Sequence, residues 1–300
     1  MQQKNKFGIV FAVVGIIAGL AALYIFATSY NFMIQVENAA GRPDEANVVK
    51  LVFPLLGYIA TAGTALWGVA LFGFASDQKW AWITGVTAST LHLLAGFFPT
   101  IPAMSRGETP LMMALFAPSL VLWVGLMFLR NVNWKIFSIA FTAGLAMVLT
   151  FMNGVATIDK IQLTALAMKG KPLFEMGKLP VSHEVLNGMY VMVQQVNWWS
   201  TAAWAAFIYA LLGKKTWATP AGIFAGLMGL IGGLPLTVSN MLEVKRFSMF
   251  LPAPAISLFL VILLITPAIR KWINDWTGAG HEEKESPSSG GSSALAGADS

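Results

Sequence analysis

The chain contains no cysteine in 300 residues, which removes disulfides, thiolate metal sites and cysteine nucleophiles from consideration. Charge is scarce too. Only 11% of residues are charged, less than half of the roughly 25% that a soluble domain carries. Basic residues exceed acidic ones by 19 − 14 = 5, too thin an excess for a nucleic-acid-binding face, so no nucleic-acid partner is expected. Of three histidines, only His92 lies inside an apolar run, so bis-histidine haem ligation has no second ligand. No Gly-rich phosphate loop, Ser-His-Asp set or pair of carboxylates within an apolar run occurs. Accordingly no catalytic residue, metal or cofactor is assigned, and hydrolytic or phosphoryl chemistry lacks its constellation.

What the chain has is apolar surface: 56% hydrophobic residues and a mean hydropathy of +0.67. Eight runs free of Asp, Glu, Lys and Arg approach the length needed to cross a bilayer. They are Phe7–Thr28, Val52–Ala75, Trp80–Phe98, Leu111–Leu129, Ile136–Thr157, Met189–Leu212, Ala218–Val238 and Pro254–Ile269. The alternating strands of about 10 residues that build a transmembrane barrel are missing. The expected fold is an all-α integral membrane protein with eight transmembrane helices. The first run follows Lys4 and Lys6 but exceeds the 7–15 residues of a signal-peptide core, so it is read as a retained helix.

An internal repeat organises these helices. Shifted by 137 residues, Thr64-Ala65-Leu66-Trp67 falls on Thr201-Ala202-Ala203-Trp204, and Trp80-Ala81 falls on Trp217-Ala218. Gly85, Ala88, Leu93, Gly96, Thr100 and Met104 also meet identical residues. Residues 1–130 then form a first four-helix repeat, 131–276 a second, and 277–300 a disordered cytoplasmic tail rich in Gly and Ser. Four crossings per copy imply parallel repeats related by a pseudo-twofold axis along the membrane normal. The shift also places Arg106 over Glu243 and Glu108 over Lys245, an exchange that would pair across such an axis or else belong to unrelated solvated loops.

Basic residues cluster at Ser76–Lys79, Arg130–Lys135 and Gly213–Trp217, which predicts tight inner turns and both termini in the cytoplasm of a prokaryotic plasma membrane. The outer face is expected to carry two long loops, Ser29–Lys50 and Lys160–Asn187, the latter with a short surface helix around Leu163, Leu166 and Leu173. Prolines in Phe98-Pro99-Thr100-Ile101-Pro102 and Leu234-Pro235 should stop or kink helices three and seven. Gly226, Gly229, Gly232 and Gly233 permit close helix packing.

Polar side chains inside the apolar runs must find partners or line a wet cavity. Asn31, Asn153 and Asn197 lie toward the outer ends of helices one, five and six, beside Trp198 and Trp199. Together with His92 they are the candidate ligand-binding residues. The alternatives are an interfacial tryptophan belt and a buried histidine satisfied by one hydroxyl, such as Ser89. The function these features favour is binding or transport of a small lipophilic or weakly polar molecule at an outward-facing cleft between the repeats. A non-catalytic membrane subunit of a larger complex is the alternative. Expected partners are the lipid bilayer, a small-molecule ligand, and other membrane proteins or further copies of the chain.

Overall fold

The computed structural model describes residues 2–168, 181–244 and 247–278. Among them all regular structure is helical: α1 (Gln2–Ala39), α2 (Pro43–Ala75), α3 (Ala81–Ser105), α4 (Met113–Leu129), α5 (Trp134–Met168), α6 (Val181–Leu212), α7 (Ala218–Val244), α8 (Pro252–Ile265) and α9 (Pro267–Thr277). Five of these, α1, α2, α3, α5 and α7, are long and apolar enough to cross a membrane. The bent pair α8–α9, with 76° between its members, makes a sixth. Such length and composition are those of a multi-pass membrane protein. Each helix hides its backbone hydrogen bonds within itself, as hydrocarbon demands.

Two sets of four helices follow the same plan. In the first, α1 packs on α2, α2 on α3, α3 on α4, and α4 returns to α1. In the second, α5 packs on α6, α6 on α7, α7 on α8, and α8 returns to α5. Helix lengths repeat as well: 38, 33, 25 and 17 residues, then 35, 32, 27 and 14. Each set thus has two long helices and two shorter ones. At 1.5 Å per residue α1 is about 57 Å long, well beyond a hydrocarbon thickness of about 30 Å.

The three tight turns form as expected, at one end of the molecule. After α2, α4 and α6 the chain enters the left-handed region at Asp77 (φ 57°), Asn131 (φ 51°) and Lys214 (φ 56°). The next amide then reaches back to close the helix: Gln78 N–H to the Gly73 carbonyl (2.8 Å), Val132 to Met127 (3.1 Å) and Lys215 to Ala210 (2.8 Å). The first and third turns correspond bond for bond at the 137-residue shift. Ser76 to Phe72 matches Gly213 to Tyr209, Ala81 to Gln78 matches Ala218 to Lys215, and Thr84 to Trp80 matches Ala221 to Trp217. At this end, α9 is anchored by Trp276, whose Nε1 donates to the Leu211 carbonyl at 2.7 Å. Lys135 and Lys214 lie 3.6 and 4.2 Å from the ring centroids of Trp272 and Trp276.

The opposite end differs from the expectation. The segment Ser29–Lys50 is no long loop: α1 continues to Ala39, and α2 begins at Pro43 after a corner containing Gly41 (φ 71°). The same holds beyond Lys160, where α5 runs on to Met168 and α6 is already helical at Val181. Leu163 and Leu166 belong to α5 rather than to a separate surface helix, and Leu173 lies outside the described residues, as does the tail from 279. Apolar runs mark where lipid ends, not where a helix ends, so polar extensions were read as loops. The prolines do not stop their helices either, since α3 runs to Ser105 and α7 to Val244.

Contact between the two sets is one-sided: α2 and α3 meet α5, and α3 meets α6. A twofold axis would require α1 to meet α6 and α7 equally. Among the described residues α1 makes no contact of that extent with them. Among the described residues the contact between the two sets is therefore asymmetric.

Candidate functional site

At the corner end, a cavity of about 570 Å³ separates the two sets. Its walls come from the α1–α2 corner (Glu37, Glu45, Val48), from Phe98 of α3, from α5 (Leu149, Asn153, Asp159) and from the Phe247–Phe250 segment. The long hairpins make this space by outreaching the shorter helices between them. A second, apolar cavity of about 210 Å³ lies further in, among Phe97, Phe116, Trp123, Leu145 and Ile256. Leu149 lines both cavities, so they adjoin there. Phe141 and Leu145, in the wall of the inner cavity, are 42% and 44% exposed, so this wall reaches the outer surface of the bundle.

Charge enters the site at two places, the α1–α2 corner and the adjacent Asp159 and Lys160 of α5, and the corner carries the larger cluster. Glu37, at the end of α1, is 1% exposed. Its Oε2 accepts from Arg106 Nη2 at 2.8 Å and from Arg106 Nε at 3.3 Å. Arg106 Nη2 also donates to Glu45 Oε2 at 2.9 Å, and Glu45 Oε1 accepts from Arg42 at 2.7 Å. The hydrogen bond donated to Glu37 leads the causes that push the Arg106 pKa above its already high value, so this guanidinium stays charged. Glu37 Oε1 is buried and has no hydrogen-bond partner among the described residues. Arg106 therefore ties the α3 end to the α1–α2 corner. The side chains of Glu243 and Lys245, the other members of the charge exchange, lie outside the described residues.

Of the six candidate residues, one lines the cavity. Asn153 is 4% exposed and donates Nδ2 to the Phe250 carbonyl at 3.1 Å, fixing the segment before α8 against α5. Asn197 instead crosses between α6 and α7, donating to the Gly232 carbonyl at 3.0 Å and to Val193 at 2.8 Å. Trp198 stacks on Phe151 at 6.4 Å and covers Gly154, where an added Cβ would come within 2.4 Å of the indole. Trp199 is 64% exposed and Asn31 is exposed as well. His92, fully buried within the first set, has its Nε2 3.2 Å from Thr64 Oγ1 and 3.1 Å from the Ala60 carbonyl. Its hydroxyl partner is Thr64, not Ser89. The glycine face of α7 does pack closely: a Cβ at Gly226, Gly229 or Gly233 would collide with Val261, Ser257 or Pro254 of α8.

Sequence reasoning did not pair Glu37 with Arg106. A lone acid just past an apolar run was a usable signal, but its partner is 69 residues away. Among the described residues no group of three His, Asp or Glu side chains could hold a metal ion. No family model, curated protein or solved structure matches the chain.

Proposed function

We propose that this protein binds, and moves or presents, a small amphipathic molecule in the cleft between two duplicated four-helix sets. The observation that carries the reading is the pair of adjoining cavities, polar at the corner end and apolar toward the centre, meeting at Leu149. Ligand sites in helical bundles are mostly apolar, with a few convergent polar groups that fix orientation. Asn153 and Glu37 are such groups, and the exposed wall at Phe141 and Leu145 is where a route in from lipid would open.

The duplication rests on the shared shift, the matched turns and the repeated order of helix lengths. On that scaffold α4 and α6 complete eight spans, with α4 short and α6 more polar than its neighbours. Lysine and arginine at the tight turns favour the cytoplasm for that end. Single cysteines introduced into this cysteine-free chain report the orientation, and external labelling at position 215 would reverse it.

Leu149→Trp tests the site. A bulky ring at the junction of the two cavities should expel co-purified amphiphile, read as lost adduct mass in native mass spectrometry of the detergent-solubilised protein. Equal adduct mass in the wild type and the variant would remove the cleft from consideration. A stable set of other subunits, with no adduct, would favour the membrane-subunit reading instead.

A further inference from the structure

The polar end of the cleft specifies the kind of head group it can take. Glu37 Oε2 is occupied by Arg106, Glu45 Oε2 by Arg106 and Glu45 Oε1 by Arg42, leaving Glu37 Oε1 as the acceptor in this cluster without a partner. That oxygen belongs to a side chain 1% exposed, in the wall of the 570 Å³ cavity. A buried acceptor left unmatched is costly, so the site calls for an N–H or O–H donor. The charges decide between donor types. Glu37 and Arg106 already form a neutral pair, Glu45 is matched by Arg42, and Asp159 and Lys160 bring one charge of each sign to the same wall. A cationic head would add an uncompensated charge beside Arg106, and an anionic head would face Glu37.

We infer that the cleft selects a neutral amphiphile whose head group donates a hydrogen bond to Glu37 Oε1 while its apolar tail enters the pocket between Phe97, Phe116 and Leu145. A hydroxyl head satisfies this, and so does an uncharged amide. The inference rests on the binding reading above and adds the head-group class to it. Arg106 acts as a positioning residue, holding the Glu37 carboxylate at the cavity wall. Asn153 is spoken for by the Phe250 carbonyl through its amide nitrogen, and Asp159 and Lys160 on the same wall hold interactions of their own, so the Glu37 carboxylate is taken as the recognition group.

Four probes with the same tail separate the possibilities in native mass spectrometry of the full-length protein: monododecanoylglycerol, its dimethyl ether, dodecylammonium and dodecanoate. The glycerol ester should bind about tenfold more tightly than the ether, the worth of one hydrogen bond to a charged acceptor. It should also outcompete both ions. In Glu37→Leu/Arg106→Leu, which removes the pair together and leaves no lone charge, the ester should fall to the level of the ether. The ligand series on the unaltered chain stands even if that variant fails to fold. Equal binding of ester and ether, or preference for dodecylammonium, overturns the head-group inference while the cleft reading survives. Failure of all four to bind overturns the cleft reading, and the inference with it.

Discussion

The two four-helix sets solve one packing problem in opposite ways. Where the second helix of each set crosses the third, the first set places Ala60 and His92, and the second places Asn197 and Gly229 at the equivalent positions. In the first, the polar side chain comes from the third helix and reaches the Ala60 carbonyl of the second. In the second, it comes from the second helix and reaches the Gly232 carbonyl of the third. Beside this crossing, Gly63 approaches the Ala88 carbonyl, where an added Cβ would lie at 3.1 Å. Its equivalent, Ser200, spans the same gap with a hydrogen bond to the Ala225 carbonyl at 2.9 Å. Large and small residues have changed places across the interface while the interface itself persists. A buried polar bridge between membrane helices thus constrains total volume and satisfied bonds more than it constrains which helix supplies the bridge.

Features shared by both sets should respond alike to mutation. Trp67 and Trp204 are both fully buried, and both indole nitrogens lack a partner. Trp67→Ala and Trp204→Ala should each cost about 3–5 kcal/mol through lost contact and the cavity left behind. Thermal unfolding in detergent should show similar drops in Tm, and a large inequality would break the equivalence of the two scaffolds.

A swap sharpens the comparison. Gly63→Ser should destabilise by about 1–3 kcal/mol, an overpacking penalty, because a Cβ there would lie 2.4 Å from the His92 ring. Gly63→Ser/His92→Gly imitates Ser200 and Gly229, and should recover part of that loss. A double variant worse than the sum of both singles would show that the exchange is not compensatory.

The smallest effect is at the turns. Asp77 and Lys214 share a left-handed backbone, which Asn tolerates better than Lys. Lys214→Asn should therefore stabilise by about 0.5 kcal/mol, provided that losing the Lys214–Trp276 contact does not cancel it. Trp276→Leu as a background separates the two contributions.

How much of this was legible in the sequence follows from what each signal measures. The tight turns were visible because short polar gaps between apolar runs leave no other path. Helix ends at Ala39 and Met168 were missed because hydropathy falls where the chain leaves lipid, although backbone hydrogen bonding continues. Asn153 was found at the cleft because an amide near the end of an apolar run needs a partner. Asn197 obeyed the same rule but met a glycine backbone, and only three-dimensional packing distinguishes the two outcomes. The Glu37–Arg106 pair was hidden by the α1–α2 corner, a reversal that no apolar periodicity announces.

Ring closure within each set has a consequence for biosynthesis. Because α4 returns to α1 and α8 to α5, each half is completed by its own segment of chain. The first half can close while the ribosome is still extending α5, as domains made in succession generally do. The cleft, built from both halves, exists only after the second ring has docked. If the proposed amphiphile occupies that cleft, its arrival marks the final step of assembly, and it would act on the newborn protein as a clasp between the two halves.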